Sequence, residues 1–529
     1  MDEKKFLVYG ILLIACIIPL IIFNGAVDDF VPRLMFDIWD ISQKGYISSE
    51  QESSIPGFFV LGSILTLICG FSTEDLLFFP IQLIPFIFVF FLFIYAFSKS
   101  YLLSALLTLI EVITGVTGSL KVFFWPHGIG FILFYMLIFI ISKLANNKRT
   151  TSEFRLLFII IGSSLVFISY DLFGMFALFM GAVSFIYLIL YMYYRDSNNL
   201  KSEYYSHFSN YFNLLLTVSV VEFGFSRFLY NKIIPTFMNN NYVEISPIDN
   251  FISSFLFKNN SGLPLNDLLV NYPISVSILS AIKYSLLITS ILVFVSIIFK
   301  KIVAKDTLEF SSIGVLSILV TNAFYGFLRF YIGQGFITYI YLPGLLSASW
   351  LYKYSPTFRR RTTLLVLLLL IICPLNYYEI STNDLINKDS SKFGTVKEPS
   401  NWCYDHEGSK IIASDVLTQG AFNYYYTKRE TDRETNAKKV SFLGSQLNLF
   451  TTKDVLFILN QSDYSGTCDN FAINYDSNII NLNNWIVIKS WRNSKSIIEN
   501  NPKLNKIYNA SNIAIFQSNA DTIWVKRHQ

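Results

Sequence analysis

Charged residues are scarce in this sequence. Only 15% of its 529 residues are charged, whereas 53% are hydrophobic and 17% aromatic. An ordinary soluble domain carries about 25% charged residues. A water-soluble fold could not cover this much apolar surface, so the composition excludes a soluble globular protein.

Other expected features of common protein classes are missing as well. The net charge is only +4 and the basic residues form short clusters between apolar runs, so no nucleic-acid partner is predicted. The five cysteines show no CxxC or metal-ligand spacing. The first apolar run, 6–23, is as long as a full span and lacks a small-residue cleavage site, which argues against a cleaved signal peptide.

Long apolar runs, about 20 residues each, dominate the first three quarters of the chain. They predict eleven membrane spans, near 6–24, 76–97, 100–119, 123–142, 154–169, 173–193, 208–230, 274–299, 310–328, 334–352 and 362–375. The run 57–70 is too short to cross and indicates a re-entrant or interfacial helix. An odd number of spans places the two termini on opposite sides.

The basic residues predict the orientation. With the N-terminus inside, sixteen Lys and Arg residues fall in cytoplasmic segments, against six in the opposite loops before residue 376. This asymmetry follows the positive-inside rule. The predicted localisation is a cell membrane, with a cytoplasmic N-terminus and an extracytoplasmic C-terminal part.

Two external regions are predicted. The loop 25–56 is acidic, and Phe30, Leu34, Ile38 and Ile41 form one apolar stripe, which predicts an amphipathic helix lying on the membrane surface. After Asn376 the apolar runs shorten to strand length, as in DVLFILN, NWIVIKSW and NIAIFQS. The predicted fold is therefore a polytopic α-helical membrane domain, 1–375 with the loop 25–56, followed by an extracytoplasmic α/β domain, 376–529.

Ionisable residues within the spans cluster toward the predicted outer side. Charges at membrane depth usually line a cavity or substrate path. An alternative for Arg227 and Lys283 is that they extend to the lipid headgroups, and Glu222 has the alternative of a structural bridge to Arg227. The predicted polar cavity contains Glu111, His127, Glu222, Arg227 and Lys283, with Asp171 and Arg329 at outer turns.

Several stretches carry a family resemblance. GAVDDFVPRLMFDIWDISQKGY follows the first span, and the apolar SIPGFFVLGSILTLICGF comes next. Together with FWPHGIGFILFYML, RFYIGQGFITYIYLPGLLSASW and the tail stretch NKIYNASNIAIFQS, they resemble the GT-C superfamily of membrane glycosyltransferases. The protein mannosyltransferase and aminoarabinose transferase group, which includes archaeal members, is the most similar branch.

The resemblance implies a catalytic acid pair. In that group an acid follows the first span, and an amphipathic helix ending near a glycine comes next; Asp28, Asp29 and Gly45 occupy these places. Asp28 would act as the general base on the acceptor hydroxyl, which contributes about 100- to 10,000-fold, and Asp29 would bind the acceptor. The alternative is that both are ordinary solvated loop acids.

The resemblance also implies cations at the leaving phosphate, where negative charge develops. Arg329, Lys283 and Arg227 are the candidates, with Arg329 favoured because it adjoins a family-like stretch. His127 would bind a sugar or phosphate oxygen, although a structural role is the alternative. Glu111 and Glu222 would complete the cavity.

The sequence departs from metal-dependent relatives. TGSLKVFFWPHG, between the third and fourth spans, holds no acid, and a Trp-Trp-Asp-Tyr-Gly motif is absent. A divalent metal is therefore doubtful, no other cofactor is predicted, and transfer of oligosaccharide to protein sequons is not expected.

The predicted function is an enzymatic one, in which a hexosyl- or pentosyltransferase uses a polyprenyl-phosphate-linked sugar at the outer face of the cell envelope. The partners would be membrane lipid, this donor, and a glycan, lipid or protein acceptor. Two alternatives stay open: a multi-pass transporter or flippase, and a polysaccharide polymerase or ligase.

In an oxidising compartment, Cys403 and Cys468 of the tail are predicted to form a disulfide; two buried thiols are the alternative.

Overall fold

The structure is a computed structural model that describes residues 3–22, 31–47, 55–114, 124–146, 151–194, 198–226, 274–332, 341–354, 356–381, 397–407, 411–414, 425, 455–460, 471–473, 486–488, 504–510 and 513–518. The chain divides into two compact units. The first comprises Met1–Ala26 and Tyr46–Ile380, and the second comprises Val27–Gly45 and Ser381–Gln529.

All regular secondary structure in the described part of the first unit is helical. They are α1 Glu3–Ile22, α3 Pro56–Cys69, α4 Thr73–Phe78, α5 Leu83–Ser98, α6 Tyr101–Thr114, α7 Pro126–Asn146, α8 Thr151–Ile168, α9 Tyr170–Tyr193, α10 Asn198–Val221 with the π-helical turn Glu222–Ser226, α11 Ile274–Val303, α12 Phe310–Ile332, α13 Tyr341–Tyr354 and α14 Pro356–Ser381. Each predicted span overlaps at least one of these helices.

Three helices in the described ranges are long and apolar enough to cross a membrane. These segments are Pro126–Ala145, Leu172–Tyr193 and Ala281–Val303. Five further apolar helices of 10–17 residues accompany them. The predicted class of helical membrane protein is thus compatible with the structure, and the number of eleven spans stays a prediction.

The predicted second span, 76–97, is two helices rather than one. α4 ends at Phe78 and α5 begins at Leu83, with Pro80 between them; proline has no N–H for a helical hydrogen bond. Ser72 and Asp75 form a reciprocal capping box that starts α4, which fixes the short helix as a separate element. Only α5 is left as the long apolar helix of this region.

Close helix packing builds the core of the first unit. α5 packs against α6 and α7, α7 against α8, α9 against α10, and α11 against α13. Tyr135 of α7 is fully buried among aromatic rings, with Phe93 at 4.8 Å and Phe90 at 5.0 Å between centroids. Gly344 of α13 lies close to Leu287 of α11, and a Cβ at position 344 would be only 2.6 Å from the Cβ of Leu287. The absence of a side chain at Gly344 therefore permits the tight contact of α13 with α11.

The connection from α11 to α12 is held by two tyrosines. The Tyr194 hydroxyl donates to the carbonyl of Asp306 at 2.8 Å, and the Tyr204 hydroxyl accepts from the N–H of Leu308 at 3.2 Å. Burial raises the pKa of Tyr194 to about 12. Both the 194–198 joint and this connection belong to the segments predicted to be cytoplasmic.

A polar network lies at the end of α13. Lys353 pairs with Glu309 at 3.6 Å, and the Tyr354 hydroxyl donates to Glu309. Burial lowers the pKa of Lys353 and raises that of Tyr354. Burial, followed by repulsion from Lys353 and Lys143, also lowers the pKa of Lys99. Charges from three predicted cytoplasmic ends therefore influence one another.

The amphipathic helix α2, Val31–Lys44, belongs to the second unit. Met35, Ile38, Trp39 and Ile41 are buried, and Ile38 has no exposed surface. Of the predicted stripe, Ile38 and Ile41 are thus covered by protein atoms and Leu34 is half-buried, and the position of the helix on the membrane surface stays a prediction. The helix ends at Gly45, whose φ of 74° is readily adopted by glycine.

In its described ranges, the second unit also contains α15 Lys397–Glu407 and six strands. These are β1 Ile411–Ser414, β2 Val455–Asn460, β3 Phe471–Ile473, β4 Ile486–Ile488, β5 Leu504–Ala510 and β6 Ile513–Ser518. One sheet has the order β1-β2-β6-β5, in which only the β1–β2 pair is parallel, and β3 pairs with β4. The three apolar runs predicted as strands contain β2, β4 and β6, while a complete extracytoplasmic α/β domain stays a prediction.

Candidate functional site

Several predicted site residues cannot be placed. Asp28, Asp29, Arg227 and Cys468 lie outside the described residues. Arg329 lies in α12, but its side chain is outside the described part. The predicted catalytic pair, disulfide and phosphate clamp therefore stay predictions.

His127 lies at the start of α7, directly after Pro126. Its Nδ1 is 3.1 Å from Oγ of Ser169, the residue that joins α8 to α9. Gly130 permits this approach, because a Cβ there would lie 2.7 Å from the Cβ of Ser169. The histidine is thus oriented by a hydroxyl that belongs to a different part of the bundle.

The residues before His127 are fixed by two further contacts. The N–H of Trp125 donates to Oε1 of the buried Gln82 at 3.2 Å. Phe124 stacks on Phe58 of α3, with ring centroids 4.6 Å apart. These residues, namely Phe58, Gln82, Phe124, Trp125, His127 and Ser169, are called the Trp125 cluster below.

Trp125 itself carries an unsatisfied polar group. Its side chain is 4% exposed, and the buried indole Nε1 has no hydrogen-bond partner among the described residues. A buried donor without an acceptor costs about 1–3 kcal/mol. Trp350 shows the usual arrangement, since its equally buried Nε1 donates to Oγ of Ser312 at 3.0 Å. The Trp125 N–H is therefore a polar group that a ligand oxygen would stabilise.

Glu222 begins the π-helical turn at the end of α10, and its side chain is buried. Such turns are rare and are frequent at functional sites. The turn contacts α8, and Val218 lies against Gly162 of the same helix. Glu222 follows Val218 by four residues, which is about 6 Å along the helix at about 1.5 Å rise per residue. Counted from the contact of Val218 with Gly162, Glu222 is level with the last turn of α8, just before Ser169.

Glu111 lies on α6, three residues before its end at Thr114. Its side chain is 3% exposed, and it interacts electrostatically with Tyr135 of α7. The rings of Phe90 and Phe93 lie against the same tyrosine. Glu111 is therefore enclosed by aromatic helices, as expected for a carboxyl group inside the bundle.

Lys283 is buried on α11, with its ammonium 4.9 Å from the centre of the Tyr284 ring. Its charge also interacts with Cys373 of α14. Because protein covers the side chain, the structure disfavours a lysine that extends to lipid headgroups.

The structure distributes the described candidates over several helix interfaces. His127 joins Ser169 and Trp125, and Glu222 lies level with the end of α8. Glu111 interacts electrostatically with Tyr135 of α7, and Lys283 with Cys373 of α14. Sequence reasoning had selected only His127 within the Trp125 cluster. FWPHG was a recognisable stretch, but its partners Gln82 and Ser169 lie more than 40 residues away.

The cluster offers hydrogen-bonding groups and aromatic surface without a described metal centre. Within the described ranges, no group of three His, Cys, Asp or Glu residues could hold a metal ion. The arrangement suits recognition of a neutral polar molecule.

Comparison with known proteins finds no matching protein-family model and no similar curated protein. The apolar helices indicate a helical membrane protein.

Proposed function

We propose that this chain is a membrane glycosyltransferase that transfers a sugar from a polyprenyl-phosphate-linked donor to an acceptor at the outer membrane face. The observation that carries the proposal is α2. It follows the Asp28–Asp29 pair in the sequence and ends at Gly45. A helix of this length and end point after the first membrane segment is the feature on which the family resemblance depends.

The burial of α2 supports a role beyond that of a loop. Met35, Ile38 and Ile41 are covered by protein, and Asp40 and Lys44 bridge successive turns at 2.8 Å. An acid pair connected to such a helix is tethered to an ordered element. Catalysis requires a base held within hydrogen-bond reach of its proton.

The proposed reaction has four balanced changes. The acceptor hydroxyl oxygen attacks the anomeric carbon of the sugar, and its proton passes to the Asp28 carboxylate. The bond from the anomeric carbon to the phosphate oxygen breaks, and the electron pair leaves with polyprenyl phosphate. Arg329 would bind the phosphate, because a planar guanidinium contacts two oxygens at once.

The proposed topology has eleven spans, an internal N-terminus and an external tail. Contacts between segments predicted to share a side support it. Tyr194 and Tyr204 hold the 304–309 connection at the predicted inner side, whereas Gln82 contacts Trp125 and Ser169 contacts His127 at the predicted outer side.

The test uses the purified full chain in lipid nanodiscs with labelled hexosyl and pentosyl polyprenyl phosphates. Release of the sugar, to an added membrane extract or to water, is measured. Asp28→Asn should lower turnover at least about 100-fold, because it keeps the shape of the side chain but removes its basicity. Glu153→Gln, at an exposed acid in the first turn of α8, should match the parent. Full activity of Asp28→Asn would exclude the proposed base.

A flippase is the second candidate, favoured by the buried Lys283 and Glu222 in the bundle. It would move the lipid-linked sugar between leaflets of a proteoliposome without releasing the sugar. Sugar release that depends on Asp28 would therefore decide for the transferase. A polymerase or ligase would instead extend a glycan chain on repeated turnover.

A further inference from the structure

We infer that the Trp125 cluster is a sugar-binding subsite in which the indole N–H of Trp125 donates to a sugar oxygen. This inference rests on the proposed function, which it deepens by naming a specificity residue. The starting observation is the buried Nε1 without an acceptor among the described residues. An apolar helical bundle supplies no bulk water to satisfy such a group.

The backbone at Trp125 is fixed from two sides, because Gln82 accepts from its N–H at 3.2 Å and the adjoining Phe124 ring is stacked on Phe58. The indole itself is buried, with the centre of the His127 ring 6.3 Å from its own. The missing acceptor therefore belongs to an enclosed side chain. A preorganised donor of this kind is what a binding site uses to select a hydroxyl or ring oxygen.

The surrounding groups favour a neutral sugar over a phosphate. Gln82 and Ser169 are neutral hydrogen-bonding residues, and the cluster as defined contains no lysine or arginine. A phosphate would be matched by a guanidinium or ammonium group. The aromatic rings supply apolar surface for the C–H face of a sugar, while His127 and Trp125 supply polar contacts.

The cluster lies at the predicted outer end of the bundle. Its residues come from the start of α3, the α4–α5 joint, the start of α7 and the α8–α9 joint. In the proposed topology all four positions are near the outer surface, the side on which the donor sugar is transferred.

The test compares Trp125→Phe with Trp350→Phe in the full chain. Both changes remove a buried indole N–H and keep an aromatic ring, but the Trp350 N–H already has Ser312 as its partner. Equilibrium binding in nanodiscs is measured with three probes: polyprenyl-phosphate hexose, polyprenyl phosphate alone, and an alkyl hexoside without phosphate. Thermal unfolding of each variant verifies its fold.

We expect the parent to bind the sugar-bearing donor more tightly than bare polyprenyl phosphate. Trp125→Phe should weaken binding of a sugar-bearing probe about 3- to 10-fold, the effect of one hydrogen bond, and leave bare polyprenyl phosphate unchanged. Trp350→Phe should lower the melting temperature without this selective effect. Weakening of the phosphate-linked probe assigns the donor sugar, and weakening of the alkyl hexoside alone assigns an acceptor sugar.

Unchanged binding of both sugar probes by a folded Trp125→Phe variant would overturn the subsite and indicate that the N–H holds only a trapped water. Failure of the proposed function has a different signature, because the parent itself would then neither bind nor turn over the lipid-linked sugar.

Discussion

Replacing Gly57 by alanine tests the packing that positions the Trp125 cluster. A Cβ at Gly57 would lie 2.8 Å from the Cβ of Phe167, 3.1 Å from its carbonyl carbon and 3.2 Å from its carbonyl oxygen. These atoms belong to the backbone or are attached to it, so rotation of the Phe167 ring does not relieve the clash. The start of α3 must move away from α8.

The size of the effect follows from the distances. Carbon atoms in good contact are about 3.5–4.0 Å apart, so the helix must move by about 0.7–1.2 Å. Overpacking of this kind costs about 1–3 kcal/mol, and the reduced backbone freedom of alanine offsets about 0.4–1 kcal/mol of it. At the middle of both ranges we expect a net loss of about 1.3 kcal/mol. Because Phe58 follows directly, its stacking on Phe124 should weaken as well.

The assay is thermal unfolding of the purified protein in nanodiscs, with Gly181→Ala as the matched control. Gly181 lies within α9, and a Cβ there would meet nothing within 4 Å. Alanine in that helix interior should stabilise the protein by about 0.5–1 kcal/mol. The two variants should therefore shift the melting temperature in opposite directions. A Gly57→Ala protein as stable as the parent would refute the close approach of α3 to α8.

Three further predictions concern other parts of the chain. Arg329→Ala should weaken donor binding and turnover, with Arg329→Lys intermediate because lysine keeps the charge but loses the planar fork; a fully active Lys variant would indicate a headgroup anchor instead. Cys403 and Cys468 should both resist alkylation in unreduced, denatured protein, and reaction of both would exclude the disulfide. From pH 10 to about 12 the folded parent retains the Tyr194 proton that the unfolded chain releases, so its stability should fall across this window. In chemical unfolding, the stability of Tyr194→Phe should fall less than that of the parent over the same pH window. An equal fall in the two proteins would assign the pH dependence to other groups.

The sequence predicted where the helices lie because their apolar runs are long. It did not predict the break at Pro80, although the proline and the Ser72–Asp75 capping pair were visible signals. The surface position of α2 was predicted from an apolar stripe alone. A stripe identifies the buried face of a helix, but lipid and protein can both cover it.

The candidate site was less predictable, for a physical reason. Gln82 and Trp125, and likewise His127 and Ser169, are brought together by the register of helices whose apolar residues are nearly interchangeable. Spacing along the chain carries no record of such a register. The indole N–H of Trp125, which lacks an acceptor among the described residues, is a property of packing that only the arrangement of neighbouring helices reveals.

The two tyrosines that hold the α11–α12 connection bear on how this protein is made. Tyr194 and Tyr204 precede their partners Asp306 and Leu308 by 112 and 104 residues. During synthesis both hydroxyls are therefore in place before the connection leaves the ribosome. We expect α9 and α10 to act as a template on which the later helix pair α11–α12 docks at the membrane surface, so that assembly proceeds from the N-terminal helices toward the C-terminal ones.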